Sequence, residues 1–85
     1  HLECASIGSF VTIDRCVTIH KHVIIKQCSK IGMYSIIKEK VNIGVLVNIG
    51  KSVIINANVR IGNCATIGKD AVVCANVVIG AGAIQ

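Results

Sequence analysis

Aliphatic residues return along this chain at every sixth position. Ile7, Ile13, Ile19, Ile25, Ile31, Ile37, Ile43, Ile49, Ile55, Ile61, Ile67 and Ile79 carry the repeat, and Val73 fills its one gap. Four residues after each stands a small or β-branched residue: Val11, Val17, Val23, Ser29, Ser35, Val41, Val47, Val53, Val59, Ala65, Ala71, Val77 and Ala83. The position directly after the aliphatic one is glycine at Gly8, Gly32, Gly44, Gly50, Gly62, Gly68 and Gly80. No insertion breaks the series.

A period of six excludes an amphipathic helix. Six helical residues advance by about 600°, so the isoleucines would scatter around the axis. Locally the pattern is that of a strand: the small residue and the next isoleucine lie two apart and face the same side. One turn per six residues must then follow. Asn58, Asp70, Asn76 and Gly82 mark such turns, because these residue types tolerate left-handed backbone angles. Three short sides close a triangular coil of about eighteen residues, whose neighbours stack at about 4.8 Å. Residues eighteen apart become neighbours, as in the column Ile7, Ile25, Ile43, Ile61, Ile79. The expected architecture is all-β: one domain over residues 1–85, a single-stranded parallel β-helix with β-branched side chains filling a narrow prism.

The runs beginning at Ile61-Gly62-Asn63-Cys64-Ala65-Thr66, Ile67-Gly68-Lys69-Asp70-Ala71-Val72 and Ile79-Gly80-Ala81-Gly82-Ala83-Ile84 resemble the bacterial transferase hexapeptide-repeat family, and the resemblance covers essentially the whole chain. It implies a left-handed β-helix, against the usual right-handed rule for parallel crossovers. It also implies a CoA-dependent acyltransferase that moves an acetyl group from acetyl-CoA or another acyl-CoA to a sugar hydroxyl or amine. Sugar and sialic-acid O- or N-acetyltransferases resemble it most, and a homotrimer is the implied assembly. The family places a catalytic histidine two residues after the aliphatic position. That slot here holds Ser9, Arg15, Lys21, Gln27, Met33, Glu39, Val45, Lys51, Ala57, Asn63, Lys69, Ala75 and Ala81, none of them histidine. The alternative reading is therefore a non-catalytic, excised or engineered β-helix serving as a scaffold or assembly module, stacked end to end.

Composition narrows the field. Apolar residues make up 53% of the 85 residues, yet Phe and Tyr occur once each and Trp is absent, so the core must be built from Ile, Val and Ala. No apolar run reaches the length of a membrane span, and the first residues show no signal peptide. The chain begins at His1 rather than Met, which points to a segment of a longer polypeptide. The net charge is +5, but the charges are spread singly and aromatics for base stacking are nearly missing, which argues against nucleic acid as partner. Cys4, Cys16, Cys28, Cys64 and Cys74 are an odd set without a CxxC pair or an eighteen-residue spacing. They are expected as free thiols in a reducing cytoplasm.

Eighteen-residue columns sort the outward residues. Glu3, Lys21 and Glu39 form an alternating charge ladder at one corner, read as surface ion pairs. Arg15, Lys51 and Lys69, with Met33 between them, line a second corner. They are either a solvated basic edge or, as the family's cofactor position implies, the site for the phosphates of coenzyme A. Phe10, Cys28, Leu46 and Cys64 stack on the third corner, and Thr18, Ile36, Ile54 and Val72 along one flat side. Two continuous apolar stripes suggest burial against another subunit or domain. His20 and His22 are the internal histidines and the candidates for a catalytic base on a small-molecule acceptor. Their structural alternative is an exposed strand histidine and a corner histidine. His1, His20 and His22 lack the spacing of a three-histidine zinc site, so no metal is expected. Thr12 and Thr66 share a column with Lys30 and Asn48, which is not the threonine ladder of an ice-binding surface.

Overall fold

The computed structural model describes residues 5–85. His1 and Cys4, and Glu3 of the charge ladder, lie outside the described residues. Each six-residue unit gives one two-residue strand, made of the outward residue and the inward isoleucine that follows it. In chain order these are β1 (Ser6–Ile7), β2 (Thr12–Ile13), β3 (Thr18–Ile19), β4 (Ile24–Ile25), β5 (Lys30–Ile31) and β6 (Ile36–Ile37). They continue as β7 (Asn42–Ile43), β8 (Asn48–Ile49), β9 (Ile54–Ile55), β10 (Arg60–Ile61), β11 (Thr66–Ile67), β12 (Val72–Val73) and β13 (Val78–Ile79).

Every third strand stacks, so the chain makes three parallel sheets. Their orders are β1-β4-β7-β10-β13, β2-β5-β8-β11 and β3-β6-β9-β12. Register is the eighteen-residue step itself: Ile25 pairs with Ile43, and Ile43 with Ile61. The coil is a left-handed parallel β-helix, as the resemblance implied. Its axis is filled by the two inward positions of each unit. Ile25, Ile37, Ile43, Ile55 and Val23, Val41, Val53, Val59 are each at most 1% exposed. With no aromatic in this core, isoleucine and valine of equal shape recur at each level and close the prism.

Two inward positions carry serine. Ser29 and Ser35 are fully buried, and each hydroxyl is satisfied by the coil that follows. Ser29 Oγ donates to the Gly44 carbonyl at 2.7 Å and accepts from the Val47 amide at 3.0 Å. Ser35 Oγ donates to the Gly50 carbonyl at 3.0 Å and accepts from the Val53 amide at 3.2 Å. Each serine therefore clasps the two ends of the corner beside it.

The corners differ from the sequence expectation. Asn58, Asp70, Asn76 and Gly82 do take positive φ, but so do Phe10, Cys16, His22, Cys28, Tyr34, Lys40, Leu46, Ser52 and Cys64. The residue three after the inward isoleucine turns left-handed in every unit, whatever its type. The glycines that follow isoleucine have a different task. A Cβ on Gly32 would lie 2.5 Å from the Gly50 carbonyl carbon, and one on Gly44 would lie 2.5 Å from Asn63 Oδ1. These glycines let successive coils approach closely.

Candidate functional site

Apart from Ser29 and Ser35, the polar side chains stand at the corners and on the outward side of the coil, and three depressions bring several of them together. A groove of about 560 Å³ runs along the β1-β4-β7-β10-β13 face. The outward residues Ile24, Asn42, Arg60 and Val78 form one side of it, and Gly44, Gly62 and Gly80 line it with bare backbone. Lys26 takes the same column position as those glycines one coil earlier and adds a cation. Asn63 Oδ1 accepts the Val45 amide at 2.8 Å, so this side chain is held against the coil before it.

A second depression, about 350 Å³, is lined by His20, Lys38, Glu39, Asn56, Ala57 and Ala75. His20, Lys38 and Asn56 each follow an inward isoleucine and are half-buried. Asn56 is fixed by donating from Nδ2 to the Val73 carbonyl at 2.8 Å. A third depression, about 370 Å³, is lined by His22, Lys40, Asn42, Asn58 and Arg60.

The two histidines thus share one corner but face different surroundings. His20 shares its depression with the Glu39 carboxylate, whereas His22 lies with two cations and two amides. Lys38, eighteen residues on from His20 in the same column, lines that depression as well, and a half-buried imidazole opening on it is placed to exchange a proton with a bound acceptor. Arg15, Lys51 and Lys69 do stack on one corner and are exposed. The corner is tied coil to coil by the Tyr34 amide on the Arg15 carbonyl at 3.4 Å and the Asp70 amide on the Lys51 carbonyl at 2.9 Å. These three cations line none of the three depressions. Of the apolar stripes, Phe10 is 86% and Leu46 56% exposed, while Thr18, Ile36 and Ile54 are half-buried and Val72 is exposed. Cys16, Cys28, Cys64 and Cys74 are free thiols. Among the described residues no group of three or more His, Cys, Asp or Glu is placed to hold a metal ion. No helix of the described residues is long and apolar enough to cross a membrane.

Single columns do not display the groove, because its lining comes from four adjacent columns. The signal was present in the glycines Gly44, Gly62 and Gly80, eighteen apart, flanked by Lys26 and Arg60.

No family model matches the sequence, and no curated protein matches it. Solved structures do. The acetyltransferase domain of PglB from Neisseria gonorrhoeae FA1090, in complex with acetyl coenzyme A, superposes with a TM-score of 0.61 at 17% identity, over 95% of this chain and 45% of that one. Serine acetyltransferase isoform 3 from Entamoeba histolytica, in complex with cysteine, gives 0.55 at 22% identity, over 95% of this chain and 32% of that one. The chain has the fold of these acetyltransferases. It spans less than half the length of either.

Proposed function

We propose that this chain is the β-helical part of a CoA-dependent acyltransferase that moves an acetyl group to a hydroxyl or amine of a small molecule, a sugar among them. The observation that carries the reading is the likeness, over nearly the whole described coil, to an acetyltransferase domain crystallised with acetyl coenzyme A. His20 is the base in this proposal. It would take the proton from the acceptor as the acceptor oxygen or nitrogen attacks the thioester carbonyl. Backbone N–H groups would stabilise the oxyanion of the tetrahedral intermediate. Its collapse breaks the carbon–sulfur bond, and the imidazolium returns the proton to the departing thiolate. His22 is set aside as base, being exposed where His20 is half-buried.

Arg15, Lys51 and Lys69 remain the proposed row for the donor's phosphates, as three cations on one corner of the prism. A homotrimer belongs to the same reading, and the half-buried stripe of Thr18, Ile36 and Ile54 is the face it would cover. End-to-end assembly, through the open coil ends, belongs to the scaffold alternative. A reducing cytoplasm suits four free thiols.

The test is thiol release from acetyl-CoA in the presence of a panel of amino sugars and sugar alcohols. Acceptor-dependent release is expected. His20→Asn should lower kcat by about 10²–10⁴ with KM for acetyl-CoA unchanged, and Lys51→Gln should raise that KM. No acceptor-dependent release from the folded chain would sink the proposal and leave the non-catalytic scaffold.

A further inference from the structure

The third depression holds the histidine set aside as base and adjoins the first groove, with which it shares Asn42 and Arg60. Its lining brings together side chains from two adjoining columns. His22, Lys40 and Asn58 follow one another up a corner at eighteen-residue intervals, and Asn42 and Arg60 follow one another on the adjoining face. Three basic side chains and two carboxamides therefore meet in about 370 Å³, and no carboxylate lines the space. Stacked like charges repel, and the repulsion is relieved by an anion that accepts from all of them. The volume lies within the range of small-ligand sites. Lysine and arginine offer charge-assisted donors, and the carboxamide N–H groups add neutral ones.

The backbone at this corner is left-handed, as at every corner of the coil, and supplies a way to test the site. His22, Lys40 and Asn58 have φ of 63°, 59° and 62°. Asparagine accepts that conformation more readily than lysine does. The fold would be served better by asparagine at residue 40, as it is at Asn58 and Asn76 in the same column.

We propose that His22, Lys40, Asn42, Asn58 and Arg60 form a binding site for a phosphate dianion, either the free ion or the monoester group of a small molecule. The site is separate from the acyl-transfer reading and does not need it.

The corner conformation gives a clean test, because Lys40→Asn removes charge while relieving backbone strain. The chain is titrated with inorganic phosphate and, separately, with glycerol 1-phosphate at constant ionic strength, following the Arg60 side-chain and His22 ring signals by NMR. Saturable shifts confined to this corner are expected. Lys40→Asn should melt no lower than the parent yet bind at least tenfold more weakly, and Arg60→Gln should weaken binding similarly. Lys30→Gln, exposed on a different face, should leave the affinity unchanged. Tighter binding of the ester assigns the site to an esterified ligand, and tighter binding of inorganic phosphate to the free ion. Non-saturable shifts spread over all exposed cations, or unchanged affinity in Lys40→Asn, would overturn the proposal.

Discussion

The first eight corners and the last five have the same backbone and very different residues. From Phe10 to Ser52 the left-handed position is held by Phe, Cys, His, Cys, Tyr, Lys, Leu and Ser; from Asn58 to Gly82 it is held by Asn, Cys, Asp, Asn and Gly. Among the non-glycine residues φ stays between 57° and 63° across both sets. A left-handed conformation costs an ordinary L-residue about 1–2 kcal/mol, less for asparagine and aspartate. The early corners therefore hold their shape against local preference. What holds them is visible in the hydrogen bonds. The Leu46 amide donates to the Gln27 carbonyl at 3.1 Å, and the Asn58 amide donates to the Glu39 carbonyl at 3.2 Å, so the preceding coil fixes both kinds of corner alike. Two of the early corners have an extra brace, since Ser29 clasps the ends of the Leu46 corner and Ser35 those of the Ser52 corner. Two of the late corners instead close on themselves: the Ala71 amide reaches the Gly68 carbonyl at 3.4 Å, and the Ala83 amide the Gly80 carbonyl at 3.3 Å. With positive φ at Asp70 and Gly82, these are turns whose residues suit them. Stacking dictates the conformation in the first region; sequence and stacking agree in the second.

If stacking rules, the inward column must matter more than any corner. Ile43→Ala, at a site with 0% exposure, should lower unfolding free energy by about 2–5 kcal/mol in urea. A loss under ~1 kcal/mol would show that the prism is not what holds the early corners. Next comes the brace. Ser29→Ala strands the Gly44 carbonyl and the Val47 amide and should cost about 1–3 kcal/mol. Asp70→Ala, by contrast, removes no such clasp and should cost less than Ser29→Ala. Corner swaps should move stability in opposite directions in the two regions: Leu46→Asn should raise it and Asn76→Leu lower it, each by about 1 kcal/mol, read as a shift in Tm. At the low end, Lys21→Ala on the exposed surface should change stability by no more than about 0.5 kcal/mol.

The contrast between regions also explains what the sequence could reveal. The isoleucine spacing contains strand, register and column at once, because a side chain buried every six residues has only one way to face a common axis. Asn58, Asp70, Asn76 and Gly82 announce their corners through their own backbone preferences. Leu46 and Tyr34 cannot, since their preferences oppose the conformation and only the neighbouring coil imposes it. The glycines after isoleucine stand out in the sequence without a stated task, and their service to close approach is a relation between coils that a linear pattern does not display. The candidate sites were legible in part. His20, His22 and the row Arg15, Lys51, Lys69 could be placed by counting eighteens. That His20 shares a depression with Glu39, or that Arg60 faces Lys40, depends on how adjacent columns lean together. The protein's own chemistry sits where columns meet.

The most direct measurement is a methyl-to-methyl NOE map of selectively labelled isoleucines. Side chains eighteen residues apart, Ile25 with Ile43 and Ile43 with Ile61, should show strong cross-peaks, and Ile25 with Ile61, two coils apart, should show none. Cross-peaks at another spacing, or isoleucines without mutual contact, would contradict the triangular stack and all that is built on it.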